Sequence, residues 1–375
     1  MNFYQVKDYP KEVFEHFTRK KKYLRLQGVV KTIAFHKPGA GLGDLVLCVP
    51  VLRALKKMFP SAKLYFFGSY SPVYDSVFKA IPYIDGFISN VEPAKQEIFK
   101  GFSIFFKKYF KKFDLIISGQ SKLKPSLRLW LLFPAIYISR NPFLSRWKIL
   151  DSRFYKKSNV HVVSQMAAPV KVLGAGEIDY SPKIEISEKY LSLAKSFLAH
   201  FTGPFISIIP SSGNFHRNWE EAKYALLGDR LVQMGYRIIL VGNDKEILLR
   251  LRNLMHAKPI IPCLEEEKFG QDPVYSIGLL KLSRLAIGSD GGGVHLSSLA
   301  GCPVVALYGP SSFVKWGPLG QNNVVISKDP ECSPCRYVHM KELKECEYDR
   351  KCLKLITVDE VMNAVNFILE KTNSH

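Results

Sequence analysis

The stretch from Thr32 to Phe67 constrains the fold more than any other. Thr32 to Phe35 is a strand-forming run, and HKPGAGLGD from His36 to Asp44 follows it. LVLCVPVLRALKKMF then carries apolar residues at helical spacing and stops before Pro60, and a second strand-like run, Lys63 to Phe67, comes next. Strand, glycine turn, helix and strand in succession form the building unit of an open parallel α/β sheet. Gly39, Gly41 and Gly43 let the backbone turn tightly and approach a ligand, and the helix start offers free N–H groups to an anion. The loop lacks the Gly-Lys-Ser/Thr ending of a Walker A loop. It also ends in an acid where the dinucleotide fingerprint has a small residue. That acid, Asp44, has two readings. It is a carboxylate held charged by the helix dipole and suited to take a proton from a hydroxyl nucleophile, or it is a helix N-cap.

A second α/β pattern opens after Lys171 to Ser187, a stretch richer in Gly, Pro and polar residues that reads as the crossing between two lobes. A helix is expected from Glu188 to Ala199, a strand over Phe205 to Ile209 leading into PSSGNFHRNW, and a helix from Glu220 to Met234 capped by Gly235. Arg237 to Val241 reads as a strand whose exit, GNDKE, opens another helix. Leu285 to Gly288 leads into SDGGGVHLSSLAG, with a helix from Gly293 to Ala300 and a cap at Gly301, and Pro303 to Leu307 exits through YGPSS. Small polar residues at the carboxyl ends of parallel strands mark where such sheets bind ligands. The SDGGG turn is either a cradle of N–H groups for a phosphate or a tight turn that brings the helix close to the sheet. Arg217 is suited to clamp a phosphate, and Ser212 offers a hydroxyl. Trp219 reads as core or as a stacking wall, and Trp316 as a fence for a base or as a buried ring. His295 is a structural histidine or a phosphate donor. The expected organisation is a basic N-terminal extension over 1–30, a first Rossmann-like domain over 31–180 and a second over 181–375.

The net charge of +20, from 53 Lys and Arg against 33 Asp and Glu, bears on partners. No zinc-finger spacing, RNP-like motif or basic recognition helix is present, so nucleic acid is not an expected partner. No run reaches the length of a membrane span, and the N-terminus has no basic stretch followed by an apolar core, so a cytoplasmic enzyme is expected. FKGFSIFFKKYFKKF places Phe102, Phe105, Phe106, Tyr109, Phe110 and Phe113 on one helical stripe, with Lys107, Lys108, Lys111 and Lys112 largely opposite. Such a helix rests on an anionic membrane or packs its aromatic face on the sheet.

GLGDLVLCVPVLRALKKMFP at Gly41 to Pro60 and SDGGGVHLSSLAGCPVVALYGP at Ser289 to Pro310, in this order and separation, resemble the bacterial ADP-heptose:lipopolysaccharide heptosyltransferases and their relatives, glycosyltransferase family nine. The resemblance runs from about Lys31 to Val365. It implies the GT-B architecture, two Rossmann-like domains with a ligand cleft between them. It also implies inverting transfer from ADP-heptose to a hydroxyl acceptor. The family base falls on Asp44, in an acceptor loop with Gly41 and Gly43. The donor diphosphate site falls on Ser211, Ser212, Gly213, Arg217, Gly291, Gly292 and Gly293, and the nucleoside and sugar contacts on Asp244, Asp290 and His295. Gly292 and Val294 depart from the family's usual residues. The implied acceptor is the acidic, lipid-linked inner core of lipopolysaccharide, at the inner face of the inner membrane. A protein acceptor of the autotransporter type, and a non-catalytic nucleotide-sugar-binding scaffold, are the alternatives. No catalytic metal is expected.

Cys332, Cys335, Cys346 and Cys352 cluster late in the chain. Four thiolates in one short segment suit a closed tetrahedral ion, structural iron or zinc, and the protein-heptosylating branch of the family is similar in coordinating iron. Reduced free thiols are the alternative. Cys48, Cys263 and Cys302 lie in apolar segments and read as buried hydrophobes.

Overall fold

The computed structural model describes residues 28–37, 41–68, 71–89, 107–119, 131–132, 134, 136–139, 160–335 and 345–373. The expected extension therefore lies, up to residue 27, outside the described residues. Contacts divide the chain after Tyr180 into two compact units. Leu42–Val46 groups with the residues from Ser181 onward.

In the first unit, β1 (Thr32–His36), β2 (Lys63–Gly68), β3 (Gly86–Ser89), β4 (Leu115–Ser118) and β5 (Ile136–Ser139) form a parallel sheet in the order β3-β2-β1-β4-β5. Ile33 of β1 stands between Leu64 and Leu115. The strands read as near-continuous apolar runs because both faces of a parallel sheet are covered. Helix α1 (Leu42–Met58) follows β1, with Pro50 inside it. Proline has no N–H to donate one turn back, to Val46, the residue at which α1 divides between the units. Asp114 fastens the amino end of the sheet, its Oδ2 accepting from the backbone N–H groups of Lys31 and Thr32, both at 2.8 Å. Helix α2 (Val162–Val172) is buried along nearly its whole length.

The aromatic stripe is only partly a helix. Phe102, Phe105 and Phe106 lie outside the described residues, and the helical turn stops at Tyr109. Lys111 takes a φ of 52°, which swings Phe113 off the helix to a buried position beside β4, its ring stacked 6.1 Å from that of Tyr109. Phe110 is exposed. Lys107, Lys108, Lys111 and Lys112 are solvated. Among the described residues no helix is long and apolar enough to cross a membrane.

The second unit has β6 (Phe205–Ile209), β7 (Arg237–Leu240), β8 (Leu285–Ser289), β9 (Val304–Tyr308) and β10 (Val324–Ser327), parallel and in the order β10-β9-β8-β6-β7. Its longer helices are α3 (Glu188–Leu198), α4 (Glu221–Gln233), α5 (Lys245–Leu254), α6 (Pro273–Leu282), α7 (Gly292–Ala300) and α8 (Val358–Asn373). Helices α4, α5 and α8 cover one core with Tyr224, Leu231, Leu248, Leu251, Val361 and Val365. Helices α3 and α6 cross closely at Gly278, where a Cβ would lie 2.6 Å from the Tyr190 carbonyl oxygen. The glycine caps expected at Gly235 and Gly301 take φ of 90° and 74°. Two doubly wound parallel units of this kind constitute the GT-B class of fold.

Candidate functional site

Both sheets reverse their winding between two central strands, and ligands bind beyond the carboxyl ends of strands at such a switch point. In the second unit the switch lies between β6 and β8. The β6 exit loop is shaped by its own polar side chains. The Ser212 N–H donates to Asn218 Oδ1 at 2.8 Å, the Ser212 hydroxyl donates to the Asn214 carbonyl at 2.8 Å, and Asn214 Oδ1 accepts from the His216 N–H at 3.0 Å. The Ser212 hydroxyl expected to face a phosphate thus serves the loop itself. The turn Phe215–Arg217 then presents Arg217. Ser289, at the end of β8, anchors the far side of the loop. Its Oγ accepts from the Trp219 N–H at 2.9 Å and lies 3.0 Å from the Tyr224 hydroxyl. Trp219 is core, its indole N–H donating to the Ile356 carbonyl at 3.1 Å.

Arg217 and Asp290 meet here, Nη1 to Oδ2 at 3.3 Å, with the arginine side chain 21% exposed and the aspartate buried. Among the glycines after Asp290, Gly291 and Gly293 leave no room for a side chain and Gly292 leaves little. A Cβ at Gly291 would come within 2.7 Å of Ser212 Cβ, at Gly292 within 3.0 Å of Leu42 Cβ, and at Gly293 within 2.6 Å of Ile209 Cγ2. The close-packing reading of this turn therefore holds whatever anion its N–H groups receive. Helix α7 begins at Gly292, one residue before the expected start.

His295, one turn into α7, is buried at 4% exposure. It packs against Gly43, where a Cβ would lie 2.6 Å from its ring Cδ2. Burial pulls its pKa down, and the carboxylates of Asp290 and Asp44 pull it up. Arg217 lowers it further, leaving it below the usual histidine range. The ring is neutral, and the acid of the first glycine loop stands within electrostatic reach of the same imidazole as Arg217 and Asp290. Asp44 is the third residue of α1, inside the first turn. Its N-cap reading is set aside, and its carboxylate profits from the helix N-terminus without capping it.

Buried polar atoms nearly always have partners. Among the described residues, His295 Nδ1 and Ser311 Oγ are buried with no hydrogen-bond partner, and Asp290 Oδ2 has only the ion pair. Ser311 belongs to the β9 exit loop and was not singled out in the sequence, whose only signal there was the small polar pair in YGPSS. Asp244 is exposed at the start of α5, where Oδ1 accepts from the Ile247 N–H at 3.2 Å. A Cβ at Gly41 or Gly213 would meet nothing within 4 Å among the described residues. Trp316 is partly buried, and its carbonyl accepts from the Tyr308 hydroxyl at 2.7 Å.

The first unit has its own switch point, between β1 and β4. His36 Nδ1 lies 3.0 Å from Ser118 Oγ there, both buried, and the ring packs on Phe67. Burial, with Lys37 nearby, takes the His36 pKa to about 3. This pair was also absent from the sequence reading.

The late cysteines draw together in part. Burial, with the thiols of Cys332 and Cys346 nearby, pushes Cys352 up to about 11. The Cys335 N–H donates to the Pro310 carbonyl at 2.7 Å. Among the described residues no three His, Cys, Asp or Glu side chains are arranged to hold a metal ion. Cys48, Cys263 and Cys302 are buried.

Comparison with known proteins agrees with this fold. The chain is 22% identical over 348 residues to lipopolysaccharide heptosyltransferase 3 of Escherichia coli, covering 88% of this chain and 98% of that one. Its fold is similar to that of a family 9 glycosyl transferase from Veillonella parvula, with a TM-score of 0.72, 22% identity, and coverage of 91% and 97% of the two chains. It is also similar to E. coli ADP-heptose lps heptosyltransferase II, with a TM-score of 0.69, 17% identity, and coverage of 92% and 99%. The model of glycosyltransferase family 9 (heptosyltransferase) matches residues 107–346, well over half of the chain. The chain belongs to glycosyltransferase family 9, the heptosyltransferases, and is a glycosyltransferase.

Proposed function

We propose that the chain transfers heptose from ADP-heptose, with inversion, to a hydroxyl of the lipopolysaccharide inner core. The observation that carries this reading is the packing of the buried His295 ring against Gly43, the neighbour of Asp44, within electrostatic reach of the Arg217–Asp290 ion pair. This supports placing the carboxylate that serves the acceptor and the cation that serves the phosphates in one site. The acceptor oxygen attacks the anomeric carbon while its proton passes to Asp44. The bond from that carbon to the phosphate oxygen breaks on the opposite face, and ADP leaves with the electron pair. Arg217 and the N–H groups of Gly291 to Gly293 take up the charge that grows on the diphosphate, and preorganised stabilisation of this sort is usually the largest catalytic term. A neutral His295 beside them adds no positive charge of its own and can donate from one nitrogen. Asp244, at the exit of β7, is assigned to the nucleoside.

The lipopolysaccharide acceptor is supported by the names of the curated relatives. Peripheral contact with an anionic membrane at the cytoplasmic face is supported by the solvated Lys107, Lys108, Lys111 and Lys112 around the exposed Phe110.

The test is transfer from ADP-heptose to purified core acceptor, with product mass and linkage analysis, by wild type and Asp44→Asn. The variant should lose on the order of a hundredfold to ten-thousandfold in turnover while still binding ADP. Undiminished turnover by Asp44→Asn would remove the base from the mechanism.

A further inference from the structure

We infer that Arg350 is a positioning residue for the donor loop, and that it ties this loop to the cysteine-bearing segment near the end of the chain. The inference rests on reading Ser212 to Trp219 as the donor diphosphate loop. Arg350 holds that loop at two points. Its Nη1 donates to the Asn218 carbonyl at 3.2 Å, and its guanidinium carbon sits 4.4 Å from the centroid of the Phe215 ring. These two residues flank Arg217, so the contacts bracket the cation assigned to the diphosphate. Phe215 is 63% exposed. The guanidinium lies over this exposed ring at cation–π distance.

Arg350 is itself held in an unusual backbone state. Asp349 and Arg350 have φ of 43° and 52°, the left-handed region that residues with a Cβ rarely occupy without support. The support comes from the cysteine segment, where the Arg350 N–H donates to Cys346 Sγ at 3.4 Å and Lys354 pairs with Asp349. Two residues on, Cys352 is buried near the thiols of Cys332 and Cys346. Cys332 and Cys335 belong to a strip that docks on the β9 exit, the Ser333 hydroxyl donating to the Gly309 carbonyl at 2.7 Å. The sulfur cluster thus packs the β9 exit loop on one side and, through Arg350, fixes the β6 exit loop on the other. The neighbouring bonds from Lys223 Nζ to the Lys354 and Ile356 carbonyls, at 2.6 and 3.2 Å, hold the base of this connection but do not reach the Phe215–Arg217 turn. Arg350 alone among these residues touches both sides of Arg217.

A residue acting in this way alters how well the loop is pre-formed for the diphosphate and leaves the reacting atoms alone. Arg350→Ala should therefore weaken ADP binding about tenfold, measured by calorimetry on the full chain under reducing conditions, and raise the donor KM by a similar factor with kcat within about twofold. Arg350→Lys keeps a cationic donor for the Asn218 carbonyl but loses the planar stack, so it should recover part of the loss. Cys346→Ala should act in the same direction, and Cys346→Ala with Arg350→Ala should be no worse than Arg350→Ala alone, since both break one connection. Arg350→Ala that binds ADP within twofold of wild type overturns the inference. So does a fall in kcat at unchanged KM, or fully additive losses in the double variant. If Arg350→Ala fails to fold, Arg350→Lys and Phe215→Ala carry the same expectation of weakened ADP binding. Wild type that binds no ADP overturns the donor-site reading beneath the inference, an outcome distinct from wild type and variant binding alike.

Discussion

The ends of β1 and β8 make the same move, from strand through glycines to helix, yet they use glycine and histidine differently. After β8 the protein itself leaves little or no room for a side chain, because Ser212, Leu42 and Ile209 occupy the space beside Gly291, Gly292 and Gly293. After β1, Gly43 is likewise filled by His295, but Gly41 borders open space among the described residues. The histidines differ in the same way. His36 is buried with a hydroxyl and an aromatic ring as its neighbours, whereas His295 is buried between charges of both signs. The β8 junction is packed and electrostatically compensated by its own residues. The β1 junction is compensated less, so acid should act on it first.

The largest expected effect tests that point. The pKa of His36 falls to about 3 in the folded chain against an ordinary 6.5. Below pH 6.5 the unfolded chain binds a proton that the folded chain refuses, so stability falls as pH drops from 6.5 toward 3. The slope for one such group approaches about 1.4 kcal/mol per pH unit once the unfolded imidazole is fully protonated, for a loss of about 2 kcal/mol between pH 6.5 and 4.5. Urea midpoints at those two values should show this loss for wild type and a flatter dependence for His36→Gln. Equal slopes would mean the imidazole is not held neutral by burial. His295 acts in the same direction, but Asp290 and Asp44 oppose its burial and reduce its share.

Next in size is Gly293→Ala, whose Cβ meets the branched side chain of buried Ile209. Overpacking of this kind costs about 1–3 kcal/mol, readable as a lower urea midpoint. No shift would show that α7 can lift away from the sheet. The smallest effect is expected for Gly41→Ala, which should leave stability within about 0.5 kcal/mol of wild type. Any rise in its donor or acceptor KM then reports the approach of a ligand. Destabilisation as large as that of Gly293→Ala would erase the contrast between the junctions.

Much of the fold was legible because parallel strands covered on both faces are short apolar runs bounded by glycine and proline. Phe205–Ile209 has the bounds expected of it, and its neighbours differ by a residue at an end. Helix α2 was not legible, since nearly every position of it is buried, and in α6 the buried residues run almost unbroken from Ser276 to Leu280, so neither shows the polar face on which a period can be seen. Phe113 misled because a left-handed turn at Lys111 breaks the period that its spacing implies. In the candidate site, Asp44, Arg217 and His295 could be named from residue type and position after a strand, and Asp290 through the family resemblance. Ser212 could be named too, although its hydroxyl turned out to serve the loop.

From sequence alone, strand–turn–helix order, the glycine positions and the family motifs determine two wound parallel sheets and the residue types available at their exits. Those are local properties, governed by backbone sterics and side-chain period. Tertiary structure decided which of these residues share an environment: Asp44 with His295, His36 with Ser118, Arg350 with Asn218 and Phe215. The partners in the last two associations lie 82 to 135 positions apart, and no local preference encodes them. They follow from packing, which buries a polar group only where another chain segment arrives to meet it.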